Sequence, residues 1–192
     1  MHELIDGRWS ARGYDPAATI SVADLTTIVD AGRWAPTWGR MQPVRFLVGR
    51  RGDETFEALS GVLIRGNAGW APRSAALVLV CTTDRPDDPK EHTYAAVDVG
   101  LAVSQMILQA EALGFNGHPM AGFDAAAATT AFDIPAGIRA LVLLGIGALV
   151  EDPASLPEDI RERDERPRTR LPLDEVAFAG RWGHPAFTGL EM

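Results

Sequence analysis

Arginines stand in this sequence at spacings that suit an anion. In Arg8-Trp9-Ser10-Ala11-Arg12, followed by Tyr14-Asp15-Pro16, two guanidinium groups flank a hydroxyl four residues apart. That is a clamp for an anion or a carbonyl. In Arg168-Thr169-Arg170 the spacing is two, so both side chains project to one side of an extended chain, as a phosphate dianion would need. Two further stretches could complete a binding site. Residues 35–46 contain Pro36, Thr37, Trp38, Arg40 and Gln42, in a connector that can offer Thr37 and Gln42 to a ligand. Residues 114–124 contain Pro119, Met120, Ala121 and Gly122 among several small residues, which let a backbone approach a flat ligand closely. Taken singly, each stretch has a plain structural alternative: a polar turn, a solvated charge run, a proline-bearing connector and a glycine-rich turn.

Other reactive residue types carry less. His2, His92, His118 and His184 have no metal-ligand spacing, and only His118 borders a candidate stretch. Cys81 is the one cysteine, so no internal disulfide forms, and it lies in an apolar run that reads as core. Gly145-Ile146-Gly147 lacks the third glycine of a dinucleotide fingerprint.

The elements that must position these residues follow from periodicity. Residues 21–34 read as a helix capped by Ser21, with Val22, Leu25, Ile28 and Val29 on one face. Residues 44–49 read as a strand, 53–65 as a second amphipathic helix, and 76–82 as a strand buried on both faces. A polar loop over 85–90 precedes the longest helix, 94–113, ended by Gly114. That helix is apolar on most sides, with Asp98, Gln105 and Gln109 in one stripe, which predicts burial by its own fold or by a partner. A short helix over 125–132 and a strand over 140–149 complete the pattern. Residues 151–170 alternate acids, arginines and prolines and read as coreless. Helices and strands do not strictly alternate, which favours a mixed sheet flanked by helices over a doubly wound parallel one.

Length and composition bound the rest. The chain has 192 residues, 46% hydrophobic and 23% charged, which fits a single domain over 1–192. A net charge of −8 with scattered arginines disfavours nucleic acid as the main partner. The apolar run over 140–150 is too short to span a bilayer, and the start lacks a signal-peptide pattern. A cytoplasmic protein with no membrane association is expected.

In order and number, these stretches resemble the FMN-dependent nitroreductase family over about residues 8–175. Arg8, Ser10 and Arg12 match its opening Arg-x-Ser-x-Arg/Lys. Pro36 to Val44 match its Pro-Ser-Ser-x-Asn-x-Gln-Pro-Trp loop, Gly114 to Asp124 its Gly-Leu-Gly…Gly-Phe-Asp segment, and Arg168 to Pro172 its Lys/Arg-x-Arg-x-Pro. The resemblance implies an α+β fold, a three-layer α/β/α sandwich with a mixed, mainly antiparallel sheet. It implies a homodimer with shared flavin sites, whose arm over 151–192 is swapped onto the partner's sheet. It places Arg8 and Ser10 on the flavin's phosphate-ribityl side, Arg12 at the pyrimidine edge, and Arg168 and Arg170 on the phosphate, with Trp9 among the cofactor-binding residues. Asn67 and Pro119 to Gly122 would lie by the ring. Pro36, Thr37, Trp38, Arg40 and Gln42 would cover it from the other subunit. The activity implied is electron transfer from NAD(P)H through FMN to a nitroaromatic, quinone or similar acceptor, with no protein nucleophile and no metal.

Three positions depart from the family pattern: Trp38 for a small serine, Arg40 for asparagine, and Val44 for tryptophan. Trp38 would narrow the substrate slot or stack on an aromatic substrate. Arg40 would favour an anionic substrate or the phosphates of the donor. The short stretch from Arg85 to Thr93 leaves little room for a lid, which predicts an open cleft. Within the same fold, the alternatives are an FMN-storage protein without turnover and an oxygen-using flavin-destructase or dehalogenase-like enzyme. A dimeric interaction module without FMN leaves the motifs without a cause.

Overall fold

The computed structural model describes residues 1–187 of the chain. Its centre is a four-stranded sheet in the order β1-β2-β4-β3, made of β1 (Arg45–Arg50), β2 (Ala76–Thr83), β3 (Asn116–Met120) and β4 (Ile138–Gly147). All three pairings are antiparallel, so the mainly antiparallel sheet is found, with no parallel pair among the described residues.

Strand β2 explains the layering. Its side chains alternate, and both sets are buried. Leu77, Leu79 and Cys81 join one core with Phe56 and Leu59 of α3 (Glu54–Gly61), Ala128 of α6 (Ala125–Ala131), and Leu156 and Ile160. Val78 and Val80 join the other with Leu25 and Ile28 of α2 (Val22–Arg33) and with Val99, Val103 and Met106 of α5 (Pro89–Ala112). The result is the three-layer α/β/α sandwich. Burial pushes the Cys81 thiol up to about 11, so it stays protonated in the core.

Several expected boundaries move, each for a local reason. Helix α2 starts as read, with Ser21 Oγ accepting from Asp24 N. The helix expected over 53–65 stops at Gly61, because Val62 and Ile64 are drawn into backbone pairing with Asp124 and Gly122. A one-turn helix, α4 (Arg65–Ala68), follows. Helix α5 begins at Pro89, well before residue 94: Asp88 caps it by accepting from Lys90 N and Glu91 N, and proline suits the first turn. The glycine-rich turn expected over 114–124 contains β3. It tolerates Pro119 because it is an edge strand.

Residues 151–164 are not coreless. They form a 3₁₀ turn and α7 (Glu158–Asp164), and Leu156 and Ile160, four residues apart, are buried against the chain's own core. Beyond them, Leu171, Leu173, Val176 and Trp182 are exposed apolar side chains. Residues 188–192 of the predicted arm lie outside the described residues. Helix α5 is likewise not wholly covered by its own chain: Tyr94, Val97 and Leu101 form an exposed stripe at 39%, 48% and 39% accessibility. No described helix is long and apolar enough to cross a membrane.

Candidate functional site

After a short first helix, α1 (Glu3–Gly7), the chain runs past β3, and two alternate residues of that strand hold it. Asn116, buried, donates through Nδ2 to Trp9 O at 2.9 Å and to Glu111 Oε1 at 3.0 Å, and its Oδ1 accepts from Ala11 N at 3.4 Å. His118 Nδ1 lies 2.7 Å from Ala11 O. A carbonyl only accepts, so Nδ1 carries the proton there. From the other side, Asp164 at the end of α7 accepts from Arg12 N and, at 2.8 Å, from Gly13 N.

This clamping brings Arg8, Ser10 and Arg12 into one neighbourhood. Arg8 Nη2 donates to Ser10 Oγ at 3.4 Å, while Arg8 Nε is buried without a partner. The Arg12 guanidinium lies over the Trp70 ring at 5.3 Å, and Trp70 packs on His118 with centroids 4.4 Å apart. Arg168 donates through Nη1 to Asp6 O, close in sequence to Arg8, whereas Arg170 donates to Thr169 O.

The segment after β3 joins the same neighbourhood. Asn67 Nδ2 donates to Gly122 O at 3.0 Å, so Asn67 braces this backbone. A Cβ at Gly122 would meet Asn67 Nδ2 at 2.5 Å, which reserves the position for glycine. The Met120 side chain is buried in the core, so its backbone is the part that can face a ligand. Pro119 and Ala121 are exposed.

The connector over 36–42 lies elsewhere. Asp98 of α5, almost fully buried, accepts from Trp38 N through both oxygens at 3.0 and 3.2 Å. The Trp38 ring stacks on Tyr94 at 5.2 Å and 11°, with Lys90 Nζ 5.3 Å from its centroid. Gly39, Arg40 and Gln42 then adopt positive φ of 58°, 62° and 45°, uncommon for the two non-glycines. Thr37, Arg40 and Gln42 line an open cleft of about 990 Å³ between α2 and β1, and Pro36 is exposed. Asp98 and Glu111 both sit on α5, about 20 Å apart at 1.5 Å per residue. One chain therefore keeps the connector and the arginine neighbourhood apart. Trp38 stacks one face on Tyr94 and stays only half-buried.

Burial sets the electrostatics. It lowers the His118 pKa below its usual 6.5, a shift that the Ala11 carbonyl opposes and Arg12 reinforces. Burial also raises the Glu111 carboxyl, against Asn116 and Arg8. The unfolded chain protonates His118 near pH 6.5 while the folded chain resists, so stability falls as pH drops through about 6.5. Glu111 acts with the opposite sign, adding stability as pH falls from its raised value towards its usual 4.5. Denaturant titrations between pH 7.5 and 5.5 are expected to show this loss, and His118→Gln to flatten it. An equal slope in both proteins would contradict the assignment.

Asn116, Asp164 and Trp70 went unnoticed in the sequence, because their contacts with residues 9–13 bridge distant parts of the chain. Among the described residues no group of three or more His, Cys, Asp or Glu gathers as a metal site. No inserted helix separates β2 from α5, so nothing described acts as a lid there.

Known proteins resemble this chain in sequence and in fold. The Nitroreductase family model matches residues 5–68 and 62–148. An uncharacterized 15.4 kDa protein of Mycolicibacterium smegmatis is 47% identical over 150 residues, covering 74% of this chain and 99% of that protein. A Bacillus subtilis (strain 168) protein named as a candidate NAD(P)H nitroreductase is 27% identical over 160 residues, covering 64% of this chain and 75% of its own. A crystal structure of an oxidoreductase containing FMN superposes with a TM-score of 0.85 at 32% identity, covering 95% of this chain and 92% of that one.

Proposed function

Because the chain belongs to the nitroreductase family, we propose that it is an FMN-dependent oxidoreductase that takes electrons from NAD(P)H and works as a homodimer with two shared flavin sites. The observation that carries this reading is the gathering of Arg8, Ser10, Arg12 and Arg168 with the Asn67-braced Gly122 segment at one edge of the sheet.

The residues fit the cofactor. Arg8 Nε is a buried donor with no partner, and a phosphate oxygen would satisfy it. Arg8, Ser10 and Arg168, joined by Arg170, would hold the phosphate and ribityl chain, and Trp9 would line them. Arg12, poised over Trp70, would reach the pyrimidine edge. Pro119 to Gly122 offer close backbone with no bulky side chain in the way. Bound FMN would supply the electron chemistry, taking a hydride from NAD(P)H and passing electrons to a nitroaromatic, quinone or similar acceptor in a second step. The protein would orient both substrates in turn and exclude water.

Pro36, Thr37, Trp38, Arg40 and Gln42 would complete the site from the partner. Two features support a second copy as that partner. The exposed Tyr94–Leu101 stripe runs beside the connector, and Leu171, Leu173, Val176 and Trp182 are exposed after Arg170.

Mixed dimers test the shared site. Chains with Arg8→Ala and chains with both Thr37→Ala and Gln42→Ala should each bind FMN weakly alone. A mixed dimer places both defects in one site and leaves the other intact, so isolated mixed dimers should hold about half of the native flavin content. No recovery in verified mixed dimers would place both residue sets in one chain's site and overturn the shared arrangement.

A further inference from the structure

Asp164 closes α7 from its C-terminal end, where the helix dipole disfavours an acid. Its side chain is nevertheless aimed at two backbone donors, Arg12 N and Gly13 N, with contacts between 2.8 and 3.1 Å. The approach is close by construction. A Cβ at Gly13 would meet Leu156 Cδ1 at 2.5 Å and Asp164 Oδ2 at 3.1 Å, so glycine lets α7 press against this strand. Leu156 and Ile160 fix α7 in the core, and Val150 N donates to Gly13 O at 3.0 Å. Residues 9–13 are thus held from one side by Asn116 and His118 and from the other by Asp164. Nothing else among the described hydrogen bonds occupies the Arg12 and Gly13 amides.

We infer that Asp164 is a positioning residue for Arg12: by fixing the backbone at Arg12 and Gly13, it sets where the guanidinium stands over Trp70 and against the flavin. This rests on the flavin site proposed above. It makes the acidic segment after β4, which contacts no cofactor in that reading, a determinant of the bound flavin's electron affinity. A cation at the pyrimidine edge stabilises the negative charge gained on reduction. A displaced Arg12 should therefore lower the flavin's midpoint potential.

The test is Asp164→Asn, which keeps the shape but turns one acceptor into a donor, made in the native and in the Arg12→Ala background. Hydrogen exchange of the flavin-free protein comes first. Exchange at the Arg12 and Gly13 amides should rise about tenfold or more, with β2 amides unchanged as the control for folding. In the FMN-bound protein, Asp164→Asn should lower the midpoint potential in the native background and leave it unmoved once Arg12 is alanine. An equal shift in both backgrounds, or unchanged exchange and potential, would overturn the positioning role while the flavin reading stands. Native protein that binds no FMN would overturn the flavin reading, and the positioning role with it.

Discussion

With Arg8 in the proposed flavin site, Arg8→Ala is expected to lower the affinity for FMN by about 100-fold, the largest functional effect of a single side chain here. Three observations lead to that figure. Arg8 Nε is buried with no partner, Nη2 is turned to Ser10, and Arg168 stands nearby on Asp6. A charge-assisted hydrogen bond to a charged group contributes about 1.5–3 kcal/mol, and a tenfold change in affinity is about 1.4 kcal/mol. Losing the guanidinium removes at least one such bond and a cation facing a dianion. Titration of flavin-free protein with FMN, followed by quenching of flavin fluorescence, measures the change. Arg85→Ala, an exposed arginine outside the proposed site, is the control for general charge and should leave the affinity unaltered. Equal affinities for the native and Arg8→Ala proteins would remove Arg8 from the site.

The largest stability effect belongs to a glycine with no chemical role. Gly49 in β1 lies under the start of α3, and a Cβ there would meet Phe56 N at 2.5 Å, Phe56 Cα at 2.6 Å and Thr55 C at 2.9 Å. All three are backbone atoms, so no side-chain rotation relieves the clash. Alanine must push α3 off the sheet and open the packing around Phe56 and Leu59, both buried. Overpacking commonly costs 1–3 kcal/mol, and a rigid backbone neighbour puts Gly49→Ala at about 3 kcal/mol. Urea unfolding should show a lowered midpoint. By contrast Gly61, with nothing near its missing Cβ, should accept alanine at little cost. Equal midpoints for native protein and Gly49→Ala would contradict the packing described.

The main helices and strands and the arginine pairs were legible in the sequence because they depend on local pattern, while the sandwich followed from the family resemblance. Strand β2 is continuously apolar, α2 carries both its cap and its stripe, and Arg8-x-Ser10-x-Arg12 is a compact motif. The misread elements are those where a local signal points one way and the tertiary setting another. Strand β3, Asn116-Gly117-His118-Pro119-Met120, has turn-forming residues, yet its place at the sheet edge makes proline harmless. Helix α7 looks like a solvated charge run, and only the pair Leu156 and Ile160 betrays its buried face. The start of α5 was within reach: Asp88-Pro89 is a cap followed by a first-turn proline. Within the site, Asn116 and Asp164 act through backbone groups more than a hundred residues away in sequence, and no spacing rule reaches that far. Trp38 shows the converse. Its departure from the family pattern was visible at once, but its stacking on Tyr94 needed the fold.

The most direct test of the account is the visible spectrum of the FMN-loaded protein under anaerobic conditions, before and after NADPH and then NADH. The account predicts a yellow protein that bleaches with at least one of the two donors and regains its colour when a quinone or nitroaromatic is added. A protein that takes up no FMN, or a yellow protein that neither donor bleaches, would contradict it.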